Sequence, residues 1–209
     1  MKNLTYTLLA LFLSINAFAQ YDEDALAVLN AMSGKYKKIN AYSAEFSQKL
    51  ENKEVGINES FEGTITVKGG KYILSVSGQE IFNDGKDVWS YNAEVSEVTV
   101  TTYDPEEQEI NMGNIYDLYK DGFKYNLIKT NNRGDRFIEL DPEDKNKSYF
   151  KIKMTIDDQD ALKQFTVMDK SGNIYVYSIK NFEEKPDLKD NVFTFNPKKH
   201  KGVEVIDFR

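Results

Sequence analysis

The sequence predicts a mainly β chain: a large antiparallel sheet of about ten or eleven strands that curls on itself, with two or three helical segments. Two observations carry that expectation. Apolar and polar residues alternate along most of the chain, which gives each stretch one apolar face. The alternating stretches are joined by short turn signals, while helical spacing is confined to one stretch near the start and one near the middle. A sheet of this kind has one polar and one apolar face. With few helices to cover it, the apolar face either closes into a barrel or takes the helices into its concavity as a plug or lid.

The elements follow in order. Lys2, the apolar run Leu4 to Ile15 and the small-x-small site Ala17-Phe18-Ala19 read as a cleaved secretory signal peptide over residues 1–19. The mature chain then starts at Gln20 and forms one domain, 20–209. Within residues 20–40, Ala25, Val28, Leu29, Met32, Tyr36 and Ile39 recur at helical spacing behind a possible cap at Asp22 or Asp24. Tyr42 to Leu50 switches to strand alternation, and the polar stretch Glu51 to Glu59 reads as a loop. Phe61, Gly63, Ile65 and Val67 alternate with polar residues, Gly69-Gly70 breaks the pattern, and Tyr72, Leu74 and Val76 resume it. Asp84-Gly85 is a strong hairpin signal, returning through Val88 to Tyr91 with the single tryptophan, Trp89. Val95 to Tyr103 is rich in β-branched residues. Asp104-Pro105-Glu106-Glu107 is a helix start, and Ile110, Ile115, Leu118 and Tyr119 give the apolar side of two short helical pieces ending at Gly122. Strands are expected at 123–130, 137–141, 149–156, 162–168, 174–182, 192–195 and 203–206, with a turn at Asp169 to Asn173.

Composition narrows the function. The chain carries a net charge of −7, and loss of Lys2 with the leader makes it −8. With its charges scattered, it is a poor nucleic-acid binder. Lys198-Lys199-His200-Lys201 is the one basic cluster and reads as a solvated loop. Zero Cys removes disulfides, thiolate metal sites and Cys nucleophiles. His200 is the sole His and no nucleophile-elbow motif accompanies it, so no Ser-His-Asp site is expected. The acidic runs Asp157 to Asp160 and Asp104 to Glu109 lack the spacing of a calcium loop. The expectation is therefore no enzyme, no cofactor and no metal. What remains is apolar surface.

The chain resembles the periplasmic outer-membrane lipoprotein carrier family, LolA. The resemblance rests on the Phe46-Ser47-Gln48 strand after an amphipathic helix, the Phe61-x-Gly63 start and the Gly70-Lys71-Tyr72 turn. It continues through the hairpin Asp84-Gly85-Lys86-x-x-Trp89-x-Tyr91 to the ending Phe193-x-Phe195-x-Pro197 and Gly202 to Asp207. It implies an incomplete antiparallel β-barrel with a helical lid over an apolar cavity. It also implies a monomeric periplasmic carrier that takes acylated lipoproteins from an inner-membrane ABC transporter towards the outer membrane, with a possible acceptor there. Family members commonly carry Arg-Pro before the Gly-Lys-aromatic turn, and that Arg is held to latch the lid. Lys68-Gly69 stands there in this chain, making Lys68 the candidate latch. Candidate lining residues are Phe46, Phe61, Ile65, Tyr72, Leu74, Ile81, Trp89 and Tyr91, with Ile115 and Leu118 from the lid. The alternative is a periplasmic lipid-sensing regulatory protein with the same half-barrel. That relative carries an added C-terminal domain, whereas this sequence stops after the final strand.

Overall fold

The computed structural model describes residues 22–104, 110 and 113–209. The leader 1–19 lies outside the described residues, as do 105–109 and 111–112 of the second helical stretch.

Helix α1 runs Glu23–Lys37. Asp22 caps it by accepting from the Ala25 N–H at 3.0 Å, and Lys35 and Lys37 sit in its last turn, where the helix dipole favours positive charge. Its buried stripe is Ala25, Leu29, Met32, Ser33 and Tyr36, close to the spacing expected. Strands β1 (Ala41–Asn52), β2 (Ile57–Lys68), β3 (Lys71–Val76), β4 (Gln79–Asn83), β5 (Asp87–Asn92) and β6 (Glu97–Thr102) follow as a meander. A second meander holds β7 (Phe123–Thr130), β8 (Arg136–Pro142), β9 (Tyr149–Ile156), β10 (Leu162–Asp169) and β11 (Ile174–Glu184). β12 (Glu204–Asp207) closes the chain.

The described strands form one twelve-stranded sheet, in the order β12-β6-β5-β4-β3-β2-β1-β11-β10-β9-β8-β7. β1 is the hub, paired with β2 on one side and β11 on the other, and so joins the two meanders. β7 and β12 are the two edges and do not pair with each other, so the sheet is an incomplete barrel. All pairings are antiparallel except β12 against β6, which is parallel.

Three readings of the sequence are corrected. The 51–59 stretch is mostly strand. Its tight turn is held by Asn52, whose side-chain oxygen accepts from Glu54 N at 3.1 Å and whose NH₂ donates to Asn173 Oδ1 at 2.8 Å, so polar residues carry the hairpin without an apolar face. The 192–195 stretch is not a strand: Asp190–Phe193 is a 3-10 turn. Phe193 and Phe195 alternate because both drop onto the sheet, not because they pair with it. In the second helical region, the first expected piece falls on residues outside those described, and 113–122 gives turns and one 3-10 turn, Leu118–Lys120, where the second was expected.

Gly63 shows how tightly the sheet is packed at its hub. A Cβ there would stand 2.5 Å from Phe46 Cζ and 2.8 Å from the Ser75 carbonyl oxygen. Gly63→Ala is therefore expected to destabilise the fold by about 1–3 kcal/mol. Denaturant unfolding measures this, and a Gly85→Ala comparison separates steric clash from loss of the positive φ (+89°) at that turn.

Candidate functional site

Strand register decides which side chains share a face. Phe46 opposes Gly63, Ala44 opposes Ile65, Ile65 opposes Leu74, and Leu74 opposes Ile81. Across the hub, Phe46 opposes Ile179, and the row continues through Tyr177, Phe165, Met154 and Ile138. These residues join α1 in one apolar cluster, which makes theirs the inner face. Phe46 and Ile65 are fully buried within it. Phe61 opposes Gln48 and so belongs to the same face, though half-buried. Tyr72 is buried in the cluster, and Leu74 and Ile81 pack against it.

The cover has two parts. α1 contributes Leu29, Met32 and Tyr36, and the segment 113–120 contributes Ile115, Tyr116 and Tyr119, all of them buried in that cluster; Leu118 packs at its margin. α1 is pinned to the β7–β10 wing. Asp22 accepts from Leu127 N at 2.8 Å, Lys35 donates to the Gln159 carbonyl at 2.9 Å, and the Tyr36 hydroxyl accepts from Leu162 N at 3.2 Å. The bonds from Ala25 and Leu127 hold the Asp22 carboxyl below its usual value. The segment 113–120 is clasped to α1. Ser33 donates to Asp117 at 2.5 Å, Lys120 donates to Ser33 at 2.8 Å and pairs with Asp117, and Tyr119 donates to Asn30 at 2.7 Å. Partial burial alone would raise the Asp117 carboxyl, but Lys120 and Ser33 outweigh it and hold it low.

Two pockets border the cover among the described residues. One is a pocket of 290 Å³ lined by Gln48, Ile110, Tyr149, Val167, Tyr175 and Tyr177. The other is a pocket of 380 Å³ where the cover meets the sheet, lined by Tyr36, Ile39, Tyr42, Val67 and Tyr116 with polar groups at its rim. A wider groove of 490 Å³ over Glu62, Ser75 and Gln79 is open to solvent and lies away from the cover.

Trp89 and Tyr91 are not on the inner face. The Asp84-Gly85 hairpin pairs Asn83 with Val88, so Phe82 opposes Trp89 and Glu80 opposes Tyr91. That puts both with Val98 and Val100 on the outer face, where Tyr91 lies 5.3 Å from Phe195 and 4.5 Å from His200, centroid to centroid. Counting pairs back from the turn, rather than matching apolar residues, would have found this. Lys68 is also corrected as a lid latch. Its ammonium donates to the Leu188 carbonyl and pairs with Asp190, each at 2.7 Å, and so ties down the C-terminal strap over the outer face. Tyr36, Tyr42 and Tyr116, absent from the sequence-based candidates, gather at the mouth. A β-bulge at Asn181 (φ +42°) turns Phe182 to stack on Tyr42 at 4.9 Å. Nothing in the alternation of β11 marks that bulge.

The description "Outer membrane lipoprotein carrier protein LolA" belongs to the family model that matches residues 37–196. The chain belongs to the LolA family. The outer-membrane lipoprotein carrier protein of Pectobacterium carotovorum is 27% identical over 182 residues, covering 85% of this chain and 87% of that protein. The protein of the same name from Proteus mirabilis is 28% identical over 211 residues, covering 99% and 98%. Among solved structures, an uncharacterized conserved protein from Thermus thermophilus superposes with a TM-score of 0.58 at 10% identity, covering 88% of this chain and 99% of that one. That match speaks for the fold. An open sheet with a cover on its inner face is thus a LolA-family half-barrel and its lid.

The strap gives a pH test. Lys68 first, then Lys71, lower the Asp190 carboxyl to about 2 from its usual 3.8. Because the folded value is the lower one, the tether contributes fully above about pH 4 and is lost as pH falls through 2. NMR titration of Asp190 should give a midpoint near 2, and Lys68→Ala with Lys71→Ala should return it towards 3.8.

Proposed function

We propose that this chain is a periplasmic carrier that binds the acyl chains of lipoproteins and delivers them to the outer membrane, catalysing no reaction. The observation that carries the reading is the inner face itself: a continuous apolar surface, open at both sheet edges, shielded by a cover one half of which is held by a small polar clasp. The names of its relatives, outer-membrane lipoprotein carrier proteins, support the same reading. In this proposal residues 1–19 are a leader that directs export, and residues 20–209 work as one unit. An inner-membrane ABC transporter hands over the cargo, and an outer-membrane acceptor receives it. Among the described residues no helix is long and apolar enough to cross a membrane.

The physical need is large. Each methylene moved out of water is worth about 0.8 kcal/mol, so a long acyl chain in water costs on the order of 10 kcal/mol. A carrier must cover such chains and still give them up. Pockets of 290 and 380 Å³ stand at the low end of the about 300–1,000 Å³ typical of small-ligand sites. Several acyl chains need more room than that. On this reading the described state is a closed one, and loading lifts segment 113–120 to free the space over Phe46, Phe61, Ile65, Tyr72, Leu74 and Ile81.

Two measurements check this. Purified mature protein should bind an apolar fluorescent probe that a synthetic acylated lipopeptide displaces, and failure to bind any acyl ligand would end the proposal. Asp117→Asn removes one charge of the clasp, worth no more than about 1 kcal/mol at this half-exposed position. Hydrogen exchange at Ile115, Tyr116 and Tyr119 should speed up by up to about five-fold, with no change in β1, β2 or β10. Uniform acceleration would instead indicate a general loss of stability.

A further inference from the structure

Three tyrosines meet where the cover closes on the sheet. Tyr36 comes from α1, Tyr42 from β1 and Tyr116 from segment 113–120. Tyr36 and Tyr116 stack with centroids 3.6 Å apart, and Tyr42 stands edge-on to Tyr116 at 6.2 Å. Tyr42 is 4% exposed and Tyr116 6%. The Tyr36 hydroxyl accepts from Leu162 N, and its own O–H lies beside the Tyr116 hydroxyl. The hydroxyl of Tyr116 is buried beside those of Tyr42 and Tyr36, yet neither it nor that of Tyr42 completes a hydrogen bond of normal length and angle within the protein.

Packing does not explain those two oxygens. A buried hydroxyl without a well-formed bond has given up its bonds to water and gained little in return, and a Phe would fill the same space without that cost. Burial raises both phenols above their usual range, so they stay neutral. Their rings line the 380 Å³ pocket, together with the apolar Val67 and Ile39 and the polar Ser33, Asn40 and Asp117. Val67 and Tyr42 also belong to the inner-face cluster, so this pocket joins polar groups to the apolar surface.

We propose that the Tyr42 and Tyr116 hydroxyls form a polar subsite for the ester carbonyls that join acyl chains to glycerol. The inference rests on the carrier reading and refines it. The hydrocarbon lies along the inner face, and segment 113–120 settles back over it after loading, so that Tyr116 and Tyr42 meet its carbonyl end at the mouth. An ester carbonyl is an uncharged acceptor with no donor of its own, which is what a neutral phenol O–H lacks here. A free fatty acid would bring a carboxylate beside Asp117. A plain hydrocarbon would leave both hydroxyls with no more than their loose contacts to the neighbouring tyrosines. Glycerol esters occur in lipoprotein anchors and in phospholipids alike, so the test must tell them apart.

The experiment uses the full mature chain and two matched pairs of probes: a diacylglyceryl lipopeptide with its dialkyl-ether counterpart, and a diacyl phospholipid with its ether counterpart. Wild type should prefer the ester member by several-fold. Tyr42→Phe with Tyr116→Phe should bring the ester and ether affinities to a common level, abolishing most of that preference, and leave thermal stability equal or higher. A preference confined to the lipopeptide pair assigns the subsite to the cargo anchor, and one seen in both pairs assigns it to glycerol esters generally. Equal ester and ether affinities in wild type, or a preference that survives the double variant, would overturn the subsite and leave the carrier reading standing. If wild type binds no member of either pair, the carrier reading itself falls.

Discussion

An open sheet with an apolar inner face cannot leave that face to water. This constraint organises the molecule. β1 joins two meanders into one surface, and Gly63 lets β1 and β2 approach closely enough for the Phe46 ring to lie across the hub. The sheet does not close, because β7 and β12 remain its edges. Shielding must then come from elsewhere, and α1 and segment 113–120 supply it. Burying a large apolar side chain is worth about 1.5–3 kcal/mol, so the cover is held mainly by Leu29, Met32, Ile115, Tyr116 and Tyr119.

The same burial limits how tightly cargo can bind. In the proposed carrier a chain that enters displaces part of the cover, and its net affinity is the difference between the two. Full release of both cover parts would forfeit more than loading requires. The polar contacts divide the cover for that reason. α1 is fixed to the β7–β10 wing by Asp22, Lys35 and Tyr36, at both of its ends. Segment 113–120 reaches α1 through Ser33, Asp117, Lys120 and Tyr119, groups that water can satisfy once they part. Lifting the segment alone exposes three large side chains rather than the whole interior. The opposing cost is thus of the size of one acyl chain, not of the fold.

Most of the sheet was legible in the sequence because alternation reports burial on one face directly. It does not report which face. Tyr72 and Trp89 both alternate in good strands, yet the pairing of Asn83 with Val88 sends them to opposite sides. Phe193 and Phe195 alternate too, in a segment that is not a strand. The mouth was hidden for a different reason. Tyr36, Tyr42 and Tyr116 are far apart in sequence and come from three elements, and the bulge that brings Phe182 to them depends on a backbone conformation at Asn181 that the residue permits but does not announce. Lys68 was found by its place in a motif, and its partners, Leu188 and Asp190, lie far along the chain in the strap.

The two faces of the sheet carry different covers, and the difference follows from what each must do. On the outer face, Phe193 and Phe195 are buried, with Phe195 against Phe82 and Tyr91, and the strap is pinned by Lys68 and Lys71 on Asp190. Arg209 adds a second tie, to Asp87 at 2.9 Å, where the last residues follow β12 along β6. These attachments join the strap to the sheet by backbone pairing and by side chains from several strands. They would have to break together for Trp89, Val98 and Val100 to meet a lipid. On the inner face, segment 113–120 is tied to α1 by the polar bonds of Ser33 and Asn30 and rests on the strands through the rings of Tyr116 and Tyr119. A greasy ligand that approaches the molecule thus finds one apolar surface sealed to the sheet and one merely shut. The face whose cover can move without unpairing a strand is the face that can exchange cargo.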